Sequence, residues 1–112
     1  MTGMFTTTPF NQPLNSWNTS SVTDMSYMFY ATSFNHPLKS WNTSKVTYMT
    51  GMFNNAKSFK QDLSSWRPAI TDKSGVKLFP CNSPLQNQPT LWPKSTSSPN
   101  FFTKGNFKCL PE

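Results

Sequence analysis

The residues that could do chemistry are few and scattered along the chain. There are four acidic residues, and no two stand in the paired arrangement that acid–base catalysis needs: Asp24, Asp62, Asp72 and Glu112. His36 is the only histidine, and the four glycines form no phosphate-cradling loop. We therefore expect no catalytic residue, no metal site and no cofactor, and we predict that the protein is not an enzyme.

Cys81 and Cys109 are the only cysteines. Their spacing fits no CxxC metal or redox motif. Two cysteines allow a single disulfide, which would restrict the unfolded chain by closing a loop. In a reducing compartment both thiols would instead stay free.

A tandem repeat supplies the elements that must position any site. A Met-Phe pair, a phenylalanine and a tryptophan each recur at spacings of 24 or 25 residues, as Met4-Phe5, Met28-Phe29 and Met52-Phe53, as Phe10, Phe34 and Phe59, and as Trp17, Trp41 and Trp66. This period falls in the range of roughly 20–29 residues that is typical of leucine-rich repeats. Because one repeat cannot bury its apolar stripe alone, we expect the recurring apolar residues to form a core between stacked repeats.

Each repeat is predicted to contain an extended segment, a corner and a short helix. Residues 38–43 alternate as a strand would, and Pro37 suits the entry to that strand. The apolar residues that follow have helical spacing, at Val46, Met49, Met52, Phe53 and Ala56. A β-helix without helical turns would keep the same core and is the alternative fold.

The stretch FNQPLNSWNTSSVTDMSYMFYATSF, Phe10–Phe34, resembles the BspA-like bacterial surface-protein repeat, a relative of the leucine-rich repeats. The family's signature positions are matched in the following copy by Phe34, Leu38, Trp41, Val46, Met49, Met52 and Phe53. The resemblance covers about Met1–Trp66, and the asparagine that follows the tryptophan in the first two copies is Arg67 in the third. It implies a right-handed solenoid, a place at the cell surface or outside the cell, and adhesion or protein recognition without catalysis.

We accordingly predict an α/β solenoid, a short right-handed coil stack of leucine-rich-repeat type with about two to three repeats. Residues 1–79 would form the repeats, including a degraded last coil in which Leu78-Phe79 stands for Met52-Phe53. Residues 80–112, rich in Pro, Ser, Asn and Lys, would be a largely irregular tail.

The chain begins partway through a repeat, since MTGMF at residues 1–5 is identical to residues 49–53. This predicts either translation from that methionine or, as we prefer, a fragment of a longer array. The sequence shows no signal peptide and no apolar run of the roughly 18 residues that a membrane span needs.

The formal net charge is +6, but the lysines are scattered, so we expect no specific binding of nucleic acid. Parallel-strand spacing makes the stack thin, so apolar side chains would be exposed at both open ends and could cause self-association. The expected partner is an unknown protein or glycan.

The predicted contact surface is the outward side of the extended segments, at Asn15, Asn18, Lys39, Asn42 and Ser65. These residues predict a non-enzymatic interaction module. The rival hypothesis is a truncated, non-functional fragment of a longer repeat array. A monomer with one cooperative transition would favour the module, whereas an aggregating or molten chain would favour the fragment.

Overall fold

Turns and irregular segments, rather than strands or long helices, make up most of the described part of the chain. The computed structural model describes residues 2–5, 11–96 and 100–109. Within these ranges the helical elements are three 3₁₀ helices, at Lys73–Val76, Pro84–Asn87 and Pro89–Leu91, and one α-helix, α1, at Lys104–Phe107. One isolated parallel β-bridge joins Asp24 to Tyr48.

The predicted α/β solenoid of leucine-rich-repeat type is wrong. The described residues contain no strand and no sheet, and their only α-helix is a single turn that lies outside the repeats. The molecule is instead a compact globule of 36 × 34 × 22 Å with a radius of gyration of 12.4 Å. The apolar run from Val46 to Ala56, predicted as a helix, is a series of turns.

Two features of this run exclude an α-helix. Gly51 and Asn55 both have a φ of 61°, in the left-handed region that interrupts a right-handed helix. In addition, the main-chain N–H groups of Gly51 and Phe53 donate to Lys77 and Phe79, so they are not available for helical bonds. The spacing of the apolar residues was compatible with a helix, but the hydrogen bonds point across to the next repeat.

Alternate N–H groups of one repeat donate to carbonyl groups of the next repeat. The bonds are 2.8–2.9 Å long and recur in register, from Gly3 to Ser26, Phe5 to Met28, Tyr27 to Thr50, Phe29 to Met52, Gly51 to Lys77 and Phe53 to Phe79. They place residues 2–5, 27–31, 51–55 and 77–81 side by side. Phe79 therefore pairs with Phe53 in the way that Met52 pairs with Phe29, so Phe79 is the equivalent of Met52. The sequence alignment of the degraded last copy had instead placed Leu78 at this position, one residue earlier.

The same backbone turn recurs in every copy at a positive φ. Gly3, Tyr27, Gly51 and Leu78 hold equivalent places, with φ values of 65°, 56°, 61° and 62°. Only glycine adopts this conformation without steric cost, so tyrosine and leucine are held there by the surrounding contacts.

Rings of successive repeats stack to form the core. Phe29 lies between Phe5 and Phe53, with centroid distances of 5.5 and 5.4 Å, and Trp41 stacks on Trp66 at 6.2 Å with a 2° interplanar angle. The recurring apolar side chains of the second and third copies are buried, which confirms the predicted core for those copies.

The C-terminal segment, residues 80–96 and 100–109, covers the third repeat. Its Trp92, Phe102 and Phe107 are buried in the same hydrophobic cluster as the repeats. Main-chain bonds join the segment to the repeats, from Leu63 to Leu91 at 3.0 Å and from Thr96 to Pro68 at 2.9 Å. A disulfide between Cys81 and Cys109, with Cα atoms 5.4 Å apart, ties its end back to its start.

Replacing Gly51 by alanine should destabilise the fold. A Cβ at this position would lie 2.3 Å from Cε1 of Tyr27, at a φ of 61°. The left-handed conformation alone costs about 1–2 kcal/mol for a residue with a Cβ, and the contact with the ring adds to this loss. Urea denaturation of Gly51→Ala should show the loss. Gly105→Ala, whose Cβ would meet nothing within 4 Å, is the control and should keep wild-type stability or exceed it slightly. Equal stability of both variants would contradict this account of the turn.

Removing the disulfide should weaken the C-terminal cover of the third repeat. For a sequence separation of 28 residues, the loop-closure entropy of the unfolded chain corresponds to about 3–4 kcal/mol. We expect Cys81→Ala/Cys109→Ala to lose that much in urea denaturation. Reduction of the wild-type chain should give a similar loss and leave the variant unchanged. A wild-type midpoint that does not respond to reductant would show that the disulfide contributes nothing.

Candidate interaction surface

The five residues predicted as a contact surface lie on three successive repeats, and all five are exposed. We call them the polar row: Asn15, Asn18, Lys39, Asn42 and Ser65. Hydrogen bonds from serine side chains to main-chain carbonyls join the repeats next to these residues. The Ser40 hydroxyl donates to the Asn15 carbonyl at 2.8 Å, and the Ser65 hydroxyl donates to the Lys39 carbonyl at 3.4 Å.

Members of the row differ in how much of their side chain is free to bind. The Asn18 Oδ1 accepts from the Ser20 N–H at 3.0 Å and from its hydroxyl at 2.7 Å, and the Asn42 Oδ1 accepts from the Ser44 N–H at 2.9 Å. Both asparagines therefore fix local turns. No hydrogen bond among the described residues uses the side chain of Asn15 or Lys39, so these two can be changed without breaking such a bond. The Lys39 charge does act through space on the exposed Asp62 carboxylate.

A small cleft of about 130 Å³ lies at the third-repeat end of the row. It is lined by two members of the row, Asn42 and Ser65, and by Trp41, Thr43, Ser44, Trp66 and Arg67. Arg67 departs from the repeat pattern in the sequence and was not among the predicted site residues. Its guanidinium Nη1 donates to the carbonyls of Ser64 at 2.6 Å and Trp66 at 2.9 Å, which holds a positive charge beside the cleft.

The regular bonding of the repeat breaks at this cleft. In the first repeat the Thr19 hydroxyl donates to the Asn42 carbonyl at 3.1 Å. The equivalent hydroxyl, on Thr43, is buried and has no hydrogen-bond partner in the described part of the chain. The cleft therefore combines a cation, several hydroxyls and an amide, a set of groups that suits a small polar or anionic group.

The aspartates of the repeats serve local turns. Hydrogen bonds from the Ser64 hydroxyl and N–H, aided by the charge of Lys39, hold the pKa of Asp62 below its ordinary value. Burial by itself raises the pKa of Asp24, but hydrogen bonds from the Ser26 N–H and hydroxyl outweigh it, and the pKa is lowered. Both carboxylates are therefore ionised at neutral pH.

A larger cleft, of about 620 Å³, lies where the 3₁₀ helix Lys73–Val76 meets α1. It is lined by Asp72, Lys73, Ser74, Lys77, Leu78, Asn106 and Lys108. The Asp72 carboxylate accepts from the Ser74 N–H at 2.9 Å and so caps the 3₁₀ helix. No sequence motif indicates this cleft, because its two sides are about 30 residues apart in the chain.

Comparison with protein families gives one match. A family described as "Mycoplasma protein of unknown function, DUF285" matches residues 1–90. The chain belongs to this family. The DUF285 match covers all three repeats and the first part of the C-terminal segment, and its description assigns no activity. No curated protein and no solved structure matches the chain.

The only histidine of this DUF285 chain lies beside the main chain of the first repeat. His36 is half-buried, with its Nε2 3.2 Å from the Asn11 carbonyl oxygen. Within residues 2–5, 11–96 and 100–109, no cluster of three or more His, Cys, Asp or Glu side chains could hold a metal ion. No helix in these ranges is long and apolar enough to cross a membrane.

Proposed function

We propose that this DUF285 protein is a non-enzymatic interaction module that binds protein or glycan through the polar row. One observation carries the proposal, namely that five exposed polar residues lie on three successive repeats that are joined by hydrogen bonds. Because the main chain beneath these residues is fixed, a ligand would not have to order them on binding, which favours affinity.

The hydrogen bonds of three aspartates support the proposal that the protein is not an enzyme. Asp24, Asp62 and Asp72 each accept a hydrogen bond from the N–H of the serine two residues later. This is the bonding of a turn-forming aspartate. The three carboxylates are thereby used in local turns, and none needs a catalytic role.

We further propose a location at the cell surface or outside the cell. The resemblance of the repeats to BspA-like surface-protein repeats supports it. The Cys81–Cys109 disulfide also supports it, because structural disulfides persist mainly in oxidising compartments.

If the chain self-associates through an uncovered repeat end, that end belongs to the first repeat. Residues 80–96 and 100–109 cover the third repeat, so only the first repeat has a side that no described residue covers. Specific binding of nucleic acid is not proposed. The cleft that brings Lys73, Lys77 and Lys108 together also contains Asp72, and its lining includes no aromatic side chain on which a base could stack.

The experiment compares two variants with the same change in charge. Asn15→Glu/Lys39→Glu alters two members of the polar row whose side chains make no internal hydrogen bond. Lys57→Glu/Ser58→Glu makes the same charge change at two exposed residues outside the row. The probes are an array of neutral and acidic glycans and a panel of purified cell-surface proteins. We expect wild type and control to bind a common probe and the row variant to bind it at least tenfold more weakly, about 1.4 kcal/mol.

Two outcomes would overturn the proposal. One is a row variant that melts like wild type and binds the common probe equally well. The other is a wild-type chain that binds no probe at millimolar concentration, which would favour the rival hypothesis of a non-functional fragment.

A further inference from the structure

Three lysines from two distant segments of the chain line the larger cleft, between the 3₁₀ helix Lys73–Val76 and α1. Lys73 and Lys77 lie on one side of it, and Lys108, which follows α1, lies on the other. All three are exposed, and none forms an ion pair with another residue in the described part of the chain. Asp72 is the one carboxylate among the described lining residues, so three positive charges face one negative charge. The cleft therefore favours an anionic ligand.

The fold does not require lysine at two of these positions. The carbonyl of Lys77 accepts from the Gly51 N–H. The equivalent acceptors in the earlier repeats belong to Ser26 and Thr50, so residues without a charge make the same bond. Lys108 ends α1 with a φ of 56°, a conformation in which glycine is the usual residue. Strained residues of this kind cluster at ligand sites, and the choice of lysine there is consistent with such a site.

Covalent and main-chain bonds hold the two sides of the cleft together. The Leu78 N–H donates to the Phe107 carbonyl at 2.6 Å. The disulfide with Cys81 anchors Cys109, which is the neighbour of Lys108. A ligand therefore meets lysines on a main chain that is already fixed, which reduces the entropy cost of binding.

The cleft also contains oxygen atoms that can accept hydrogen bonds. One carboxylate oxygen of Asp72 accepts from the Ser74 N–H at 2.9 Å, and the other accepts from no described residue. Asn106 donates through Nδ2 to the Phe101 carbonyl at 3.0 Å, but its Oδ1 and the Ser74 hydroxyl have no partner in the described ranges. Leu78 and the methylene stems of the lysines supply an apolar wall.

We propose that this cleft binds an acidic oligosaccharide, whose sugar rings carry carboxylate or sulfate groups. Its anionic groups pair with the lysine ammonium groups, its hydroxyls donate to the free oxygens, and its C–H faces lie on the apolar wall. The Asp72 carboxylate repels a ligand that is anionic throughout but accepts from a hydroxyl.

The size of the cleft agrees with this ligand. Its volume of about 620 Å³ is far more than an inorganic ion fills and lies within the range of roughly 300–1,000 Å³ that is usual for small-molecule sites. The cleft shares no residue with the polar row, so the proposal is independent of the function proposed above.

The test measures binding to the full chain by isothermal titration calorimetry. The probe is a tetrasaccharide of alternating hexuronate and sulfated N-acetylhexosamine, and its desulfated form carries carboxylates alone. A desulfated and carboxyl-reduced form is the neutral match, and sodium sulfate is the free-anion probe. We expect at least one acidic form to bind about tenfold more tightly than the neutral form, and the comparison of the two acidic forms identifies the anionic group that is recognised.

Two variants with the same net charge locate the binding. Lys73→Gln/Lys77→Gln removes two lysines of the cleft, and Lys57→Gln/Lys60→Gln removes two exposed lysines outside it. Because the first variant alone loses ion pairs with the ligand, we expect it to bind the acidic probe about tenfold more weakly than the second.

Lys108→Gly separates binding from stability. Glycine adopts the left-handed conformation without strain, so the thermal midpoint should equal or exceed that of wild type. The loss of the ammonium group should nevertheless weaken binding of the acidic probe about threefold. A side chain with a purely structural role would not give this combination.

Any of four results would overturn the proposal. The cleft variant and its control could bind the acidic probe equally well, or the neutral form could bind as tightly as the acidic forms. Sodium sulfate at the same concentration could displace the probe completely, which would make the cleft a site for an inorganic anion only. The wild-type chain could bind neither acidic form. None of these results bears on the polar row, whose residues are unchanged in every variant.

Discussion

The structure depends on main-chain hydrogen bonds that run from each repeat to the next. Buried N–H and C=O groups must be paired, and a short turn-rich repeat cannot pair them all within itself. Here alternate N–H groups of one copy, such as those of Tyr27 and Phe29, find carbonyls in the following copy. The bonding fixes which residues face each other, but not the length of chain between them. The bonded residues are 23 apart for Tyr27 and Thr50 and 26 apart for Gly51 and Lys77, so the extra residues are accommodated in the intervening segment.

This constraint also determines the core. Once the main chains are in register, equivalent side chains lie above one another, and Phe29 stacks on Phe53 while Trp41 stacks on Trp66. The stacks end differently on the two sides. At the third repeat, Phe79 meets Phe53 edge-on at 5.5 Å and begins the C-terminal cover, whereas Trp17 remains exposed at the first repeat. The rings of the first repeat are therefore more exposed than those of the third.

Features that follow from the repeat period could be predicted from the sequence. It predicted which recurring apolar residues are buried in the second and third copies. Within the polar row, Asn15 and Lys39 occupy equivalent places in adjacent repeats, as do Asn18 and Asn42. Ser65 is instead the equivalent of Ser40.

The sequence failed on the helix, because the spacing of Val46, Met49 and Phe53 suits both a helical face and a turn whose N–H groups point to a neighbour. Gly51 and Asn55 carried the contrary signal, since both residue types favour a left-handed backbone.

Features outside the period could not be read from the sequence. The C-terminal segment does not continue the repeat pattern of residues 1–66, so its packing depends on contacts between segments. Examples are the bond from the Leu63 N–H to the Leu91 carbonyl and the ring contact of Phe107 with Phe79 at 6.1 Å. The cleft beside Arg67 arises where one residue departs from the repeat pattern, and the large cleft joins residues distant in sequence. Such sites are set by the meeting of segments rather than by a local motif.

The most direct test of this account is NMR detection of scalar couplings across hydrogen bonds in the isotopically labelled chain. The account predicts cross-peaks from the Tyr27 N–H to the Thr50 carbonyl carbon, from the Phe29 N–H to that of Met52, and from the Gly51 N–H to that of Lys77. Couplings from these N–H groups to carbonyls four residues earlier would instead show helical repeats, and couplings in another register would contradict the pairing of the repeats.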